Sequence, residues 1–533
     1  MKIDGDRREF CEATEFVANP PHPSTDHART SEIKLSISQI KDRRYVTAAL
    51  MLVMTLASME MTVTSTAMPT IIGDLHGLEH YSWVASLYLL TSTVSMPLYG
   101  RLADKFGRKY VIIAAISIFT GASMLAATSQ GMMQLILFRG LQGLGAGGIM
   151  PVVLTILSDI FTLKERASVQ GLFSVIWGTA AMGGPALGAI LVNTLGWRSV
   201  FYVNLPLGLL GLAVLIWKYH EHEEPHPTDL DLPGVFSLAI ACAAILAMVT
   251  RLGIDGSSWM TPSLLGVAIV AIIYFIRHER QAPHPIMPAS LLFRRAIGPA
   301  LAGSFLLGLG YLCIDVYVPL YVQGGRGGGA TAAASAITPV VLTWSIANAF
   351  AAPLLIRWGF RKTSLVSSIL IALGMTGLLV SSMLAVPHWV LTMTLSITGL
   401  GLGPASLCFL LAPQEAVSWQ QRGNITSSVM FFRTIGGAVG VGLLGALFNL
   451  LIASDFARLQ RLGIKPSEVF SPELHSKLSP ELLASGQHAI VNALTWVFAV
   501  MLFFSLVQIA VATLMPAFKP QHEIKRSEEF EAA

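Results

Sequence analysis

Charged side chains are scarce in this sequence. Asp, Glu, Lys and Arg make up 12% of its 533 residues while hydrophobic residues make up 53%. An ordinary soluble chain carries about twice that share of charge, so a soluble globular surface is excluded and a polytopic membrane protein is expected. Cysteine is almost missing as well. Cys11, Cys242, Cys313 and Cys408 are scattered, three of them inside apolar runs, and no pair has metal or disulfide spacing. They read as buried free thiols. Residues 1–40 are polar, contain prolines and both charge signs, and lack an apolar h-region. The expectation is therefore no cleavable signal peptide, with the first span serving as insertion signal. No G-x-x-x-x-G-K-[ST] loop occurs, which argues against ATP hydrolysis. The basic residues have no stacking aromatics interleaved on a polar face, which excludes nucleic acid as a partner.

What the chain has in abundance is long apolar runs. About 17–25 apolar residues suffice for a helix to cross a bilayer. Fourteen such runs occur, near 46–70, 82–99, 110–128, 133–157, 169–192, 199–217, 234–251, 262–276, 297–321, 332–356, 363–384, 389–412, 428–452 and 489–515. The eighth is short. An even number returns the C-terminus to the side of the N-terminus. With both assigned to the cytoplasm, the short inside loops hold Arg101, Lys105, Arg108, Lys109, Lys164, Arg166, Arg357, Arg361, Lys362 and others, while the short outside loops hold Arg198, Arg251 and Arg326. That bias fixes the orientation.

The chain also repeats itself. PLYGRLADKFGRKYVI (97–112) returns as APLLIRWGFRKTSLV (352–366), GLGAGGIMPVVL (143–154) as GLGLGPASLCFL (399–410), and Gly178–Gly188 as Gly436–Gly445. All three recur in the same direction, the signature of two parallel halves of six spans with spans 7 and 8 inserted between them. The expected divisions are a cytoplasmic disordered tail (1–44), a first six-helix bundle (45–217), a linker with two inserted transmembrane helices (218–296), a second six-helix bundle (297–516) and a cytoplasmic tail (517–533). The second bundle would carry an extracytoplasmic loop, 453–488, whose SPELHSKLSPELLA piece suggests short helical turns. HEHEEPHP (220–227) reads as a solvated, acid-rich linker broken by prolines rather than a metal clamp, since nothing fixes the imidazoles.

The loop GRLADKFGRK (100–109) resembles the signature between spans 2 and 3 of the major facilitator superfamily, matching G-x-L-A-D-x-x-G-R-K at every specified position. Four further stretches are similar to its fourteen-span drug:proton antiporter branch: MEMTVTSTAMPTI (59–71), FRGLQGLGAGG (138–148), GTAAMGGPALGA (178–189) and FFRTIGGAVGVGLLGALF (431–448). In the first, Glu60 stands at the family's Asp position and Ser65 at its Asn position. The resemblance implies an all-α fold of fourteen transmembrane helices and no enzyme activity. It further implies proton-coupled export of amphipathic, cationic compounds by alternating access, with no cofactor and the proton gradient as energy source. The implied partners are small-molecule substrates, protons and the lipid bilayer of the cell membrane, with room left for an envelope adaptor protein. A dedicated exporter of one metabolite and a nutrient:proton symporter are the alternatives.

Charges inside the bilayer cost at least ~2.5–3.5 kcal/mol, and four lie well inside the spans: Glu60, Arg139, Asp315 and Arg433. The expected proton-coupling set is Glu60 and Asp315, with Arg139 tuning their charge. The expected substrate cavity holds Glu60, Met61, Ser65, Gln142, Tyr311 and Asp315. A gating role is expected for Gly100, Asp104, Gly107, Arg108 and Lys109 in the basic loop, for Gly184, Pro185 and Gly188 in span 5, and for Arg433. Arg433 is placed about two turns from its helix end, within reach of headgroups or the loops.

Overall fold

The computed structural model describes residues 43–517 apart from 76–80, 162, 222–230, 252–258, 283–286, 288–293, 295–296, 329, 385, 418–420 and 462–479. The tails, Cys11 and most of 220–227 lie outside the described residues. The first half contains α1 (Arg43–Leu75), α2 (Tyr81–Phe106), α3 (Arg108–Ala127), α4 (Met132–Ile160), α5 (Leu163–Leu195) and α6 (Ser199–Lys218). The inserted pair is α7 (Leu232–Arg251) and α8 (Met260–Gln281). The second half contains α9 (Gly298–Leu320), α10 (Ala330–Ala349), α11 (Ala351–Met383), α12 (His388–Glu415), α13 (Arg422–Arg461) and α14 (Pro480–Thr513). Each falls on one of the fourteen apolar runs. Helix is the form that satisfies backbone hydrogen bonds internally where no water is present. Ten helical stretches among the described residues are long and apolar enough to cross a membrane.

Three boundaries differ from expectation. The eighth span is not short: α8 runs 22 residues, because its basic end, Arg277–Gln281, continues the helix past the apolar run. The break near the tenth span falls at Phe350, and the first turns of α11 carry on beyond it to Gly359. Helix also extends into the 453–488 segment from both sides, through Arg461 and from Pro480. Cys242, Cys313 and Cys408 are free and buried.

The internal repeat has a structural counterpart at its glycines. Gly107 and Gly359, which occupy the same place in FGRK and WGFRK, both take a left-handed φ, 89° and 78°, a conformation costly for any residue with a Cβ. Gly107 turns the chain between α2 and α3, and Gly359 kinks it within α11. Gly143 and Gly399 likewise lie against a neighbouring helix, where a Cβ would come within 2.4 Å of the Tyr88 and Val340 carbonyl oxygens respectively. The α2–α3–α4 and α10–α11–α12 units are thus built alike.

The halves meet at the end that carries the basic loop. An apolar cluster there mixes Tyr99, Ala103, Ile156 and Ile160 of the first half with Ile297, Leu410, Ile425 and Val429 of the second. At the other end, Val63, Ala67, Ile71, Met132, Trp197 and Phe201 pack with first-half residues alone. The inserted helices cover one side of the joint, through Leu238, Cys242 and Phe275 against Phe431 and Ile435. On α9, Ser304 is fully buried while Asp315, three turns further on, is exposed. The apolar contact between the halves is thus concentrated at the basic-loop end.

The joint depends on backbone approach. A Cβ at Gly100 would lie 1.7 Å from Ser427 Oγ and 2.8 Å from the Gly423 carbonyl; the hydroxyl can rotate away but the carbonyl cannot. Gly100→Ala is expected to shift the protein out of the sealed state. The measurement is thiol labelling of an Asn424→Cys reporter, which should rise; unchanged labelling would show that the joint tolerates the methyl.

Candidate functional site

Five helices of the first half converge on one carboxylate. Glu60 on α1 and Arg139 on α4 are 2% and 1% exposed, and Arg139 Nη1 donates to Glu60 Oε1. The Thr64 hydroxyl, one turn along α1, donates to the same oxygen at 3.1 Å. Asn204, in α6, donates from Nδ2 to Glu60 Oε2 at 2.6 Å and to Ser123 Oγ of α3 at 2.9 Å. Ser123 passes its own hydrogen to the Phe201 carbonyl at 2.9 Å. Arg139 also donates to Gln142 Oε1 at 2.8 Å, and its guanidinium carbon lies 4.3 Å from the centre of the Tyr88 ring on α2, a cation–π contact. Arg139 Nε and Gln142 Nε2 are buried without an acceptor among the described residues.

Every one of these contacts suits an ionised Glu60, which accepts only. Each carboxylate oxygen faces at least one donor: Arg139 and Thr64 at Oε1, Asn204 at Oε2.

Of the residues expected to act together, the structure joins Glu60, Arg139 and Gln142 and leaves Asp315 apart. No hydrogen bond or ion pair reaches Asp315 among the described residues. Glu60 turns into its own bundle because α3, α4 and α6 supply polar partners there. At the position matching Arg139 in the second bundle stands Leu395, fully buried, so Asp315 has no such partner. Glu60 and Asp315 stand on the first helix of each half, α1 and α9. Tyr311 precedes Asp315 by one turn and packs edge-on against Trp344 of α10, ring centres 4.8 Å apart. The side chains of Met61, Ser65 and Pro185 lie outside the described set. Gly184 and Gly188 are buried in α5. Asn204 was not anticipated; a lone amide within an apolar run was its one signal.

The basic loop forms a second polar cluster at the joint. Asp104 Oδ2 accepts the Asn424 backbone N–H of α13 at 3.0 Å, and Asp104 Oδ1 lies 3.6 Å from Arg108 Nη2. Arg108 is 3% exposed and its Nε is 3.4 Å from Asp159 Oδ2 on α4. Glu221 is not a freely solvated linker residue. Its carboxylate accepts the N–H groups of Arg108 at 2.7 Å and Lys109 at 3.1 Å, capping the positive end of α3. Lys109 Nζ in turn reaches the Ile216 carbonyl at 2.9 Å. Arg433 donates to the Ser406 carbonyl on α12 at 3.3 Å.

Two helical bundles with a buried ion network in one, joined at one end around a central space, define a membrane transporter. The family model of the Major Facilitator Superfamily matches residues 50–441, and the chain belongs to that superfamily. It is 34% identical over 409 residues to the multidrug transporter protein MdtP of Bacillus subtilis, covering 76% of this chain and 75% of that protein. It is 29% identical over 504 residues to multidrug resistance protein 3 of the same organism, covering 91% and 97%. Its fold is similar to that of the human organic anion transporter MFSD10 in a crystal structure, with a TM-score of 0.57 at 14% identity over 87% of this chain and 99% of that one.

Two outcomes are expected. Removing one member of a buried pair costs about 3–5 kcal/mol, while replacing both by apolar residues is often nearly neutral. Arg139→Met and Glu60→Met should each destabilise the protein by that order, and the double variant should recover most of the loss. Denaturant unfolding in detergent measures the cycle; additive losses would show that the two side chains do not depend on each other.

The second concerns Asp104, which lies beyond the apolar part of its span. Burial at the joint pushes its carboxyl up to about 7, outweighing the opposing pull of Arg108, the Asn424 N–H and Arg101, with Asp159 adding to the rise. Opening the joint hydrates Asp104 and returns it toward the ordinary carboxylate range, so the sealed form binds the proton more tightly. The sealed population should grow as pH falls through about 7 and shrink as it rises. Labelling of Asn424→Cys across that range should show this, and Asp104→Asn should flatten the profile.

Proposed function

We propose that the protein exports amphipathic, cationic compounds in exchange for protons, by alternating access between its two bundles. The observation that carries this reading is Glu60, a carboxylate enclosed within the first bundle and held by contacts that a single proton would rearrange. Loading that proton from the open side frees Arg139 or Asn204 and changes the packing of α1, α4 and α6. Releasing it to the other side restores the ionised network. A transport cycle that couples the two steps to cargo movement draws on the proton gradient, and on membrane potential worth ~2.3 kcal/mol per charge per 100 mV.

Asp315 supports the cargo half of the reading. It is exposed on α9, where an ammonium group in the central space can reach it, and Tyr311 and Trp344 offer aromatic surface beside it. The joint at Gly100, Asp104 and Asn424 is the gate, opening toward the cytoplasm if the termini lie there as loop charge implies. The setting is the cell membrane, with N- and C-termini cytoplasmic. The multidrug relatives favour a broad cargo range over a single metabolite.

Proteoliposomes carrying the wild type should expel a cationic dye when a proton gradient is imposed, and acidify or alkalinise in step with dye movement. Glu60→Gln should insert normally and still exchange dye down its own gradient, but lose proton-driven accumulation at least tenfold, on the order of 1.4 kcal/mol. Wild-type pumping by Glu60→Gln would overturn the exchange mechanism.

A further inference from the structure

The second bundle holds a cation without a counter-charge. Arg433 leaves α13 where α9 packs closest: a Cβ at Gly308 would fall 1.9 Å from the Arg433 carbonyl oxygen. From there its Nη2 reaches the Ser406 carbonyl on α12, so the guanidinium bridges α13 and α12 beside α9. Arg433 lies within the apolar run 428–452 of α13.

The hydrogen-bond supply around it is poor in acceptors. A guanidinium carries five donors and no acceptor. Arg433 makes the bond to Ser406, no carboxylate lies within ion-pair distance among the described residues, and its Nε is buried without an acceptor. Merely bridging two helices does not call for a charge at this depth, since a neutral amide could donate to Ser406 at lower desolvation cost. Unused donors on a cation without a counter-charge are what an incoming anion needs, and carboxylates bind guanidinium through two parallel hydrogen bonds.

We propose that Arg433 receives an anionic group of the transported compound, a carboxylate or sulfonate. Asp315 stands two turns from Gly308 on the same stripe of α9, roughly 10 Å along the helix. A compound acidic at one end and basic at the other then satisfies both charges, and the cargo class becomes amphoteric rather than simply cationic. This deepens the exporter reading and rests on it.

The test is equilibrium binding to purified protein in nanodiscs at neutral pH, with no proton gradient. The probes are dansyl-glycine, which carries the carboxylate, and dansyl-glycinamide, which lacks it. The wild type should bind the acid about tenfold or more tightly than the amide. Arg433→Gln should level the two without changing amide affinity, and Arg433→Lys should keep part of the preference. Should Arg433→Gln fail to fold, Arg433→Lys decides instead: it should weaken acid binding several-fold and leave amide binding unchanged. Equal binding or no binding by the wild type, a preference that survives Arg433→Gln, or acid binding unchanged in Arg433→Lys would overturn the proposal. Such a failure leaves proton exchange standing, because no gradient is present. Loss of pH-driven efflux with the carboxylate preference intact would count against exchange alone.

Discussion

A charge inside a bilayer has to be matched before anything else can be arranged around it. In this chain the match is made between α1 and α4. Desolvation makes a buried pair only marginally favourable by itself, so the remaining lone pairs on Glu60 must be filled, and Thr64 and Asn204 fill them. Asn204 ties in Ser123 of α3, and Tyr88 of α2 covers the guanidinium face. Five helices are thereby fixed to one another through a single carboxylate. These contacts all lie within the first bundle, and the surfaces between bundles are held otherwise.

Those surfaces are chemically different. The joint consists of close backbone approach at Gly100 and Gly423, a carboxylate accepting one backbone N–H, and an apolar cluster shared between halves. None of these interactions requires a charge to be stranded when the joint opens, because Asp104, Arg108 and Asp159 all become hydrated at the membrane edge. The glycines permit close backbone approach at one point of the joint, and the apolar cluster around it supplies the area that opening would expose.

Much of this was legible in the residues. Fourteen apolar runs became fourteen helices because hydrocarbon leaves the backbone no alternative to helix. The repeat was legible because the same left-handed turn and the same close packing demand glycine in both halves, at Gly107 and Gly359 and at Gly143 and Gly399. Glu60 and Arg139 stood out by their cost at depth. What the order of residues concealed was direction around the helix. Whether Glu60 faces the central space or its own bundle depends on where α6 brings Asn204, and an amide 144 positions away carries no local signal. Glu221 was hidden for the same reason: as one acid among several beside prolines it looked solvated, and only the fold sets it at the α3 amides.

The two halves share a scaffold but not a charge pattern. Glu60 and Asp315 each stand on the first helix of a half, yet Arg139 is answered by Leu395, and the second bundle's cation sits on a different helix, at Arg433. With arginine beside it, the first carboxylate is drawn into its own bundle, where both oxygens find donors. Asp315 has no such partner among the described residues and stays exposed on α9. The duplicated fold thus keeps its buried carboxylate–guanidinium pair in one half, and no polar contact between Glu60 and Asp315 exists among the described residues.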